Sequence, residues 1–157
     1  MTNLQRRTFI KSSLAVGVAG LAAAAGLLKP TQVLAAEWPK GAFDAKSVED
    51  SLKSLFGNSG SSTSASVKIK ASPQAENAAT VPITVSTDMP NVEAVSIFVE
   101  KNDFPLVCNA TMSGAEGYLH ARMKMRQTSD VVAVVKSGGK LYTAKHNIKV
   151  TVGGCGG

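Results

Sequence analysis

The chain has 157 residues, enough for one domain with a core of its own. Lys and Arg number 17 against 11 Asp and Glu, but Arg6, Arg7, Lys11 and Lys29 all precede the first acid, Glu37, so the rest carries thirteen bases against eleven acids. That near-neutral body and an aromatic content of 5% argue against a nucleic-acid partner. Two cysteines and two histidines are too few for a disulfide scaffold or a four-ligand zinc site.

The first element is a leader. Gln5-Arg6-Arg7-Thr8-Phe9-Ile10-Lys11 is followed by an uncharged run from Ser12 to Leu28, rich in Ala and Gly, and then by Val33-Leu34-Ala35-Ala36. A basic start, a modest apolar stretch and a small-residue cleavage site make an export signal. The paired arginines resemble a twin-arginine signal, although Gln5 replaces the Ser or Thr often found before the pair. The uncharged run sits at the lower limit for a membrane span and is only weakly hydrophobic, so no anchor is expected after cleavage. The expected signal covers 1–35, with cleavage after Ala35 or Ala36, and the mature protein is expected in the periplasm. Twin-arginine export moves folded proteins. No inserted cofactor is evident, so a second subunit lacking its own signal is an expected passenger.

Residues 36–57 read as a helix segment. Asp44 is the expected N-cap, Phe43 an N-terminal staple, and Gly57 the stop. Val48, Leu52, Leu55 and Phe56 form one apolar stripe, which must dock on either this domain or a partner, with this domain's own core the simpler expectation. Residues 58–66 contain only Gly, Asn, Ser, Thr and Ala and read as a flexible linker.

From 67 to 152 the apolar period becomes two. Val67, Ile69 and Ala71 alternate with Lys68 and Lys70; Val81, Ile83 and Val85 follow; then come Val95, Ile97 and Val99. Leu106, Cys108, Ala110 and Met112 share one expected face. Leu119, Ala121, Met123 and Met125 alternate with His120, Arg122, Lys124 and Arg126, making a basic stripe. Val131–Val135 is wholly apolar. The run from Tyr142 to Val152 places His146 in phase with Ala144 and Ile148, where a bulge or a half-buried histidine with its hydrogen bonds satisfied is expected. With turn signals between the runs, the pattern gives an all-β, immunoglobulin-like antiparallel sandwich of about seven strands. No metal site is expected.

Residues 153–157 are Gly153-Gly154-Cys155-Gly156-Gly157, a thiol with two glycines on each side. Glycine contributes no packing, so the sequence reads as a flexible arm. From Thr151 to Cys155 it reaches about 14 Å when extended. Nothing basic adjoins Cys155, so its thiol should titrate near about 8.5 and be a poor nucleophile until a receiving pocket activates it. That is the chemistry of a carrier rather than an enzyme. A disulfide to Cys108 would leave the four glycines without purpose, and Cys108 reads as a small core residue. Two other classes remain open: an exported structural or adhesive sandwich crosslinked through its terminal cysteine, and a thiol-disulfide oxidoreductase. The second lacks a Cys-x-x-Cys pair.

The ending from Ile148 to Gly157, together with Phe104-Pro105-Leu106-Val107, Thr128-Ser129-Asp130-Val131-Val132-Ala133 and Gly139-Lys140-Leu141-Tyr142, resembles the SoxY family of covalent sulfur carriers in thiosulfate oxidation. The resemblance covers essentially the whole chain. It implies that Cys155 is the attachment residue, that Gly153, Gly154, Gly156 and Gly157 are its hinge glycines, and that no separate cofactor is held, only a sulfur intermediate on Cys155. It implies pairing with a SoxZ-like sandwich subunit. It also implies transient docking to a c-type cytochrome complex that forms a cysteine S-thiosulfonate, a hydrolase that releases sulfate, and in some systems a sulfur dehydrogenase. Cys108 departs from the single cysteine of the commonest family form.

Overall fold

A computed structural model describes residues 38–151. The expected leader (1–35) and the arm residues Gly153, Gly154, Cys155, Gly156 and Gly157 lie outside the described residues.

The described chain opens with two short helices, α1 (Lys40–Asp44) and α2 (Val48–Phe56), rather than one. The expected cap is therefore corrected. Asp44 is the last residue of α1, and Ser47 caps α2 instead, its Oγ accepting from Asp50 N at 3.0 Å while donating to Asp50 Oδ2 at 2.8 Å. One hydroxyl thus satisfies an otherwise unpaired N–H of the first turn and orients a carboxylate toward the helix's positive end. Gly57 ends α2 in the left-handed region at φ 77°, which costs glycine little, and its N–H donates to Lys53 O.

Nine strands follow: β1 (Ser61–Thr63), β2 (Val67–Ala71), β3 (Gln74–Ala75), β4 (Val81–Thr87), β5 (Val92–Val99), β6 (Leu106–Thr111), β7 (Tyr118–Met123), β8 (Ser129–Ser137) and β9 (Lys140–Val150). The expected sandwich is present. One sheet runs β1-β9-β8-β5-β6 with β3 also on β9, and the other runs β2-β4-β7. The seven long strands are the expected ones. The two short strands are not, and β1 lies inside the stretch read as a flexible linker. Ser61–Thr63 pairs in parallel with Leu141–Thr143 of β9, and Ser64 N donates to Thr143 O at 3.0 Å. All three side chains of β1 are exposed, so backbone pairing alone places it there, and no hydrophobic pattern could announce it.

Two apolar layers hold the fold. Between the sheets lie Val81, Ile83, Val85, Val95, Ile97, Val99, Met123, Met125, Val131, Ala133, Val135 and Ile148. On the outer face of the larger sheet Phe98, Leu106, Val132, Val134 and Leu141 pack with Ala42 and Leu52. The apolar stripe of α2 thus docks on this domain's own sheet. It also explains the wholly apolar Val131–Val135: odd residues face the smaller sheet, even residues face the helices, and both sides are dry. The β8–β9 turn places Gly138 and Gly139 at φ 55° and 74°, which suits a tight two-residue hairpin whose twist matches its strands.

Candidate functional site

The site begins at the end of β9, five residues before Cys155. On one side Val150 N donates to Thr128 Oγ1 at 2.9 Å. On the other, Gln74 and Ala75 of β3 pair in parallel with Lys149 and Val150. Lys149 N donates to Pro73 O at 2.9 Å, and Thr151 N donates to Ala75 O at 3.2 Å. The strand is held from both sides up to Thr151, four residues before Cys155. Each such bond contributes about 1 kcal/mol net, so this root is a fixed point.

Cys108 sits on β6 and is half-buried. The expectation that it shares a face with Leu106 is corrected. A register shift between Ile97 and Phe98 sets Cys108 opposite Ile97 and Leu106 opposite Phe98, with Val107 as the extra residue. Leu106 therefore faces the helices, whereas Cys108 packs against the inter-sheet core. Burial raises its thiol pKa, partly offset by a backbone hydrogen bond from Ile97. At neutral pH this thiol is scarcely ionised and is unsuited to nucleophilic work.

His146 lies opposite Val131 in an unbroken β8–β9 register, so the bulge considered there is absent. It is half-buried, but the expected satisfaction of its ring is corrected: Nε2 is buried and has no hydrogen-bond partner among the described residues. His120 is exposed, its Nδ1 3.0 Å from Thr84 Oγ1. Among the described residues, no group of three or more His, Cys, Asp and Glu is placed to hold a metal ion.

The basic stripe read along one strand is also corrected, because β7 ends at Met123. Asn102 bridges the chain just beyond, donating from Nδ2 to Lys124 O at 2.8 Å and accepting from Arg126 N at 2.9 Å, while the Arg126 guanidinium pairs with Asp103. Arg122 alone stays on the strand, and it joins a different set of cations. On the outer face of the smaller sheet, Lys68 aligns with Ser86 and Tyr118, Lys70 with Thr84 and His120, and Pro82 with Arg122. A shallow groove of about 540 Å³ runs across this face past Lys70, Thr84, Tyr118 and His120. Period-two alternation shows that Lys68 and Lys70 point outward. The sequence carries no signal for their alignment with β7, because that depends on a register between distant strands.

The family model described as "Sulfur oxidation protein SoxY" matches residues 52–155, more than half of the chain. Among solved structures, the sulfur carrier protein SoxY from Chlorobium limicola f thiosulfatophilum is 37% identical, with a TM-score of 0.62, covering 72% of this chain and 99% of that one. A superoxide reductase (neelaredoxin) from Ignicoccus hospitalis is 16% identical with a TM-score of 0.50, covering 55% and 80%, a likeness of fold alone. No curated protein sequence matches. The family match runs from the second half of α2 through the sandwich, and the solved carrier aligns over nearly its entire length; this chain belongs to the SoxY family of sulfur oxidation proteins.

Proposed function

We propose that the chain is a substrate-carrier subunit that holds the sulfur intermediates of thiosulfate oxidation on Cys155 and presents them to separate enzymes. Conjugation joins the terminal sulfur of thiosulfate to the Cys155 thiol. A sulfur–sulfur bond forms, one proton leaves, and two electrons pass to a c-type cytochrome complex. Water then cleaves the sulfur–sulfonate bond, releasing sulfate and leaving a persulfide on Cys155. A sulfur dehydrogenase is the candidate for oxidising that remaining sulfane where one is present. The carrier works in the periplasm, exported by the twin-arginine route and paired with a SoxZ-like subunit.

One observation supports this reading above the others. The strand leading to Cys155 is clamped on both sides through Thr151, so the five-residue tail of four glycines and one thiol starts from a fixed place. A tether with a rigid root and no side chains to obstruct it suits delivery of one sulfur atom into a narrow pocket. Cys108, half-buried and with its thiolate disfavoured, does not compete for the role.

Intact-mass analysis of the chain from cells grown on thiosulfate tests this. The expected result is a gain corresponding to bound thiosulfate or to one extra sulfur, localised to Cys155 and removed by reduction. A Cys155→Ser chain should carry no adduct and should not support thiosulfate oxidation. Wild-type activity in that variant would reject the proposal.

A further inference from the structure

We propose that the outer face of the three-stranded sheet β2-β4-β7 is the docking surface for an acidic partner protein, the one whose pocket receives the C-terminal arm. This rests on the carrier reading above. The face carries Lys68, Lys70 and Arg122, all exposed, together with His120 and the 58%-exposed ring of Tyr118. None of its positions holds a carboxylate: the remaining outward residues are Pro82, Thr84 and Ser86. Among the described residues Lys68, Lys70 and Arg122 form no ion pair, and neither do Lys53, Lys101 and Lys140 elsewhere, so this face is marked by the clustering of its cations without a carboxylate among them.

Location gives the charge its meaning. Thr151 is bonded to Ala75, and Ala75 follows Lys70 by five residues, a backbone span of at most about 17 Å. The arm reaches only about 14 Å beyond Thr151. A pocket that takes in Cys155 must therefore bring its rim against the body near the end of β9, and Lys70 of the cationic face lies within that span of Ala75. The groove is shallow and open, and charges there are screened within about 8 Å at physiological salt, so a lone small anion gains little. An acidic protein surface meets several cations at once, which raises the encounter rate and fixes orientation. A second copy of the chain does not fit, because two such faces would repel. Tyr118 adds the aromatic contact that interfaces favour.

The test measures binding of full-length chain carrying Cys155→Ser, so that no chemistry intervenes, to two immobilised probes: the sulfate-releasing hydrolase and the cytochrome conjugating complex from the same cells. In one variant Lys68, Lys70 and Arg122 become Glu; in a second they become Gln, which guards against misfolding by charge reversal. A control converts Lys53, Lys101 and Lys140, exposed elsewhere, to Glu. At low salt the patch reversal should weaken binding to at least one enzyme by about tenfold or more, the Gln variant by less, and the control by under about twofold, with the differences vanishing at high salt. Equal binding by patch and control variants would overturn the inference. So would no binding to either enzyme. The carrier reading fails separately, if wild-type chain takes up no sulfur on Cys155.

Discussion

The two outer faces of the sandwich make opposite use of the same alternation. On the larger sheet the outward residues Phe98, Leu106, Val132, Val134 and Leu141 are apolar, and Ala42 and Leu52 of the helices cover them. On the smaller sheet the outward residues are Lys, Thr, Ser, Arg, His, Tyr and one Pro, and no described element covers them. A sheet closed by its own chain reads as unbroken apolar strands, whereas a sheet left open alternates. The covered face supplies stability. The open face leaves its Lys, Arg, His and Tyr side chains exposed.

The widest separation of the two faces should come from truncation. Phe98→Ala removes a fully buried ring between sheet and helices and should cost about 3–5 kcal/mol. Lys70→Ala, on the open face, should stay within about 0.5 kcal/mol. Denaturant melts of the two variants check this, and equal losses would break the contrast. Next in size is Gly117→Ala at the start of β7. A Cβ there would run into the Thr87 methyl and approach Val92 Cγ2 at 3.1 Å, so about 1–3 kcal/mol of destabilisation is expected, read by the same melts.

Cys108→Ser sharpens the difference between the two thiols. It should cost about 1 kcal/mol, from placing a hydroxyl against the apolar core, and should leave sulfur loading of Cys155 unchanged. In the wild type, alkylation of Cys108 should lag well behind that of Cys155 at neutral pH and accelerate only in alkali, because burial raises its pKa. Peptide mapping after timed alkylation measures both rates.

The smallest effect concerns the β8–β9 turn. Glu93 accepts from Lys136 Nζ and from Gly139 N at 2.7 Å, and the Lys136 hydrogen bond is the leading reason its carboxyl titrates below the ordinary value. A lowered carboxyl pKa gives stability that is present above the unfolded value of about 4.3 and is lost as pH falls through the folded one. Glu93→Gln should therefore melt below wild type at neutral pH and low salt, with the gap closing in acid. A gap that persisted in acid would assign the loss to something other than this charge.

Long-range pairing marks the limit of what was legible in the residues. Six of the seven main strands announce themselves through alternation and β8 through its unbroken apolar run, and the stripe of Val48, Leu52, Leu55 and Phe56 announces a helix that needs a partner surface. The break between α1 and α2 was not legible, since Ser47 and Asp44 are both acceptable caps and only packing selects one. Nor was the bulge opposite Val107, which moves Leu106 into the helix layer while Cys108 stays with the inter-sheet core. The strand β1 is invisible for a related reason: Ser61–Thr63 buries no side chain and is held by the backbone of β9.

Local chemistry set the terms that sequence alone could fix: strand periodicity and the helix stripe. These follow from side-chain size and backbone freedom, which are properties of neighbours in the chain. Tertiary structure decided what depends on distant residues meeting. It chose Thr128 and Ala75 to clamp the end of β9, and it aligned Lys70 with His120 across β4. Register across a sheet is set by the whole core at once, so no short window of sequence contains it.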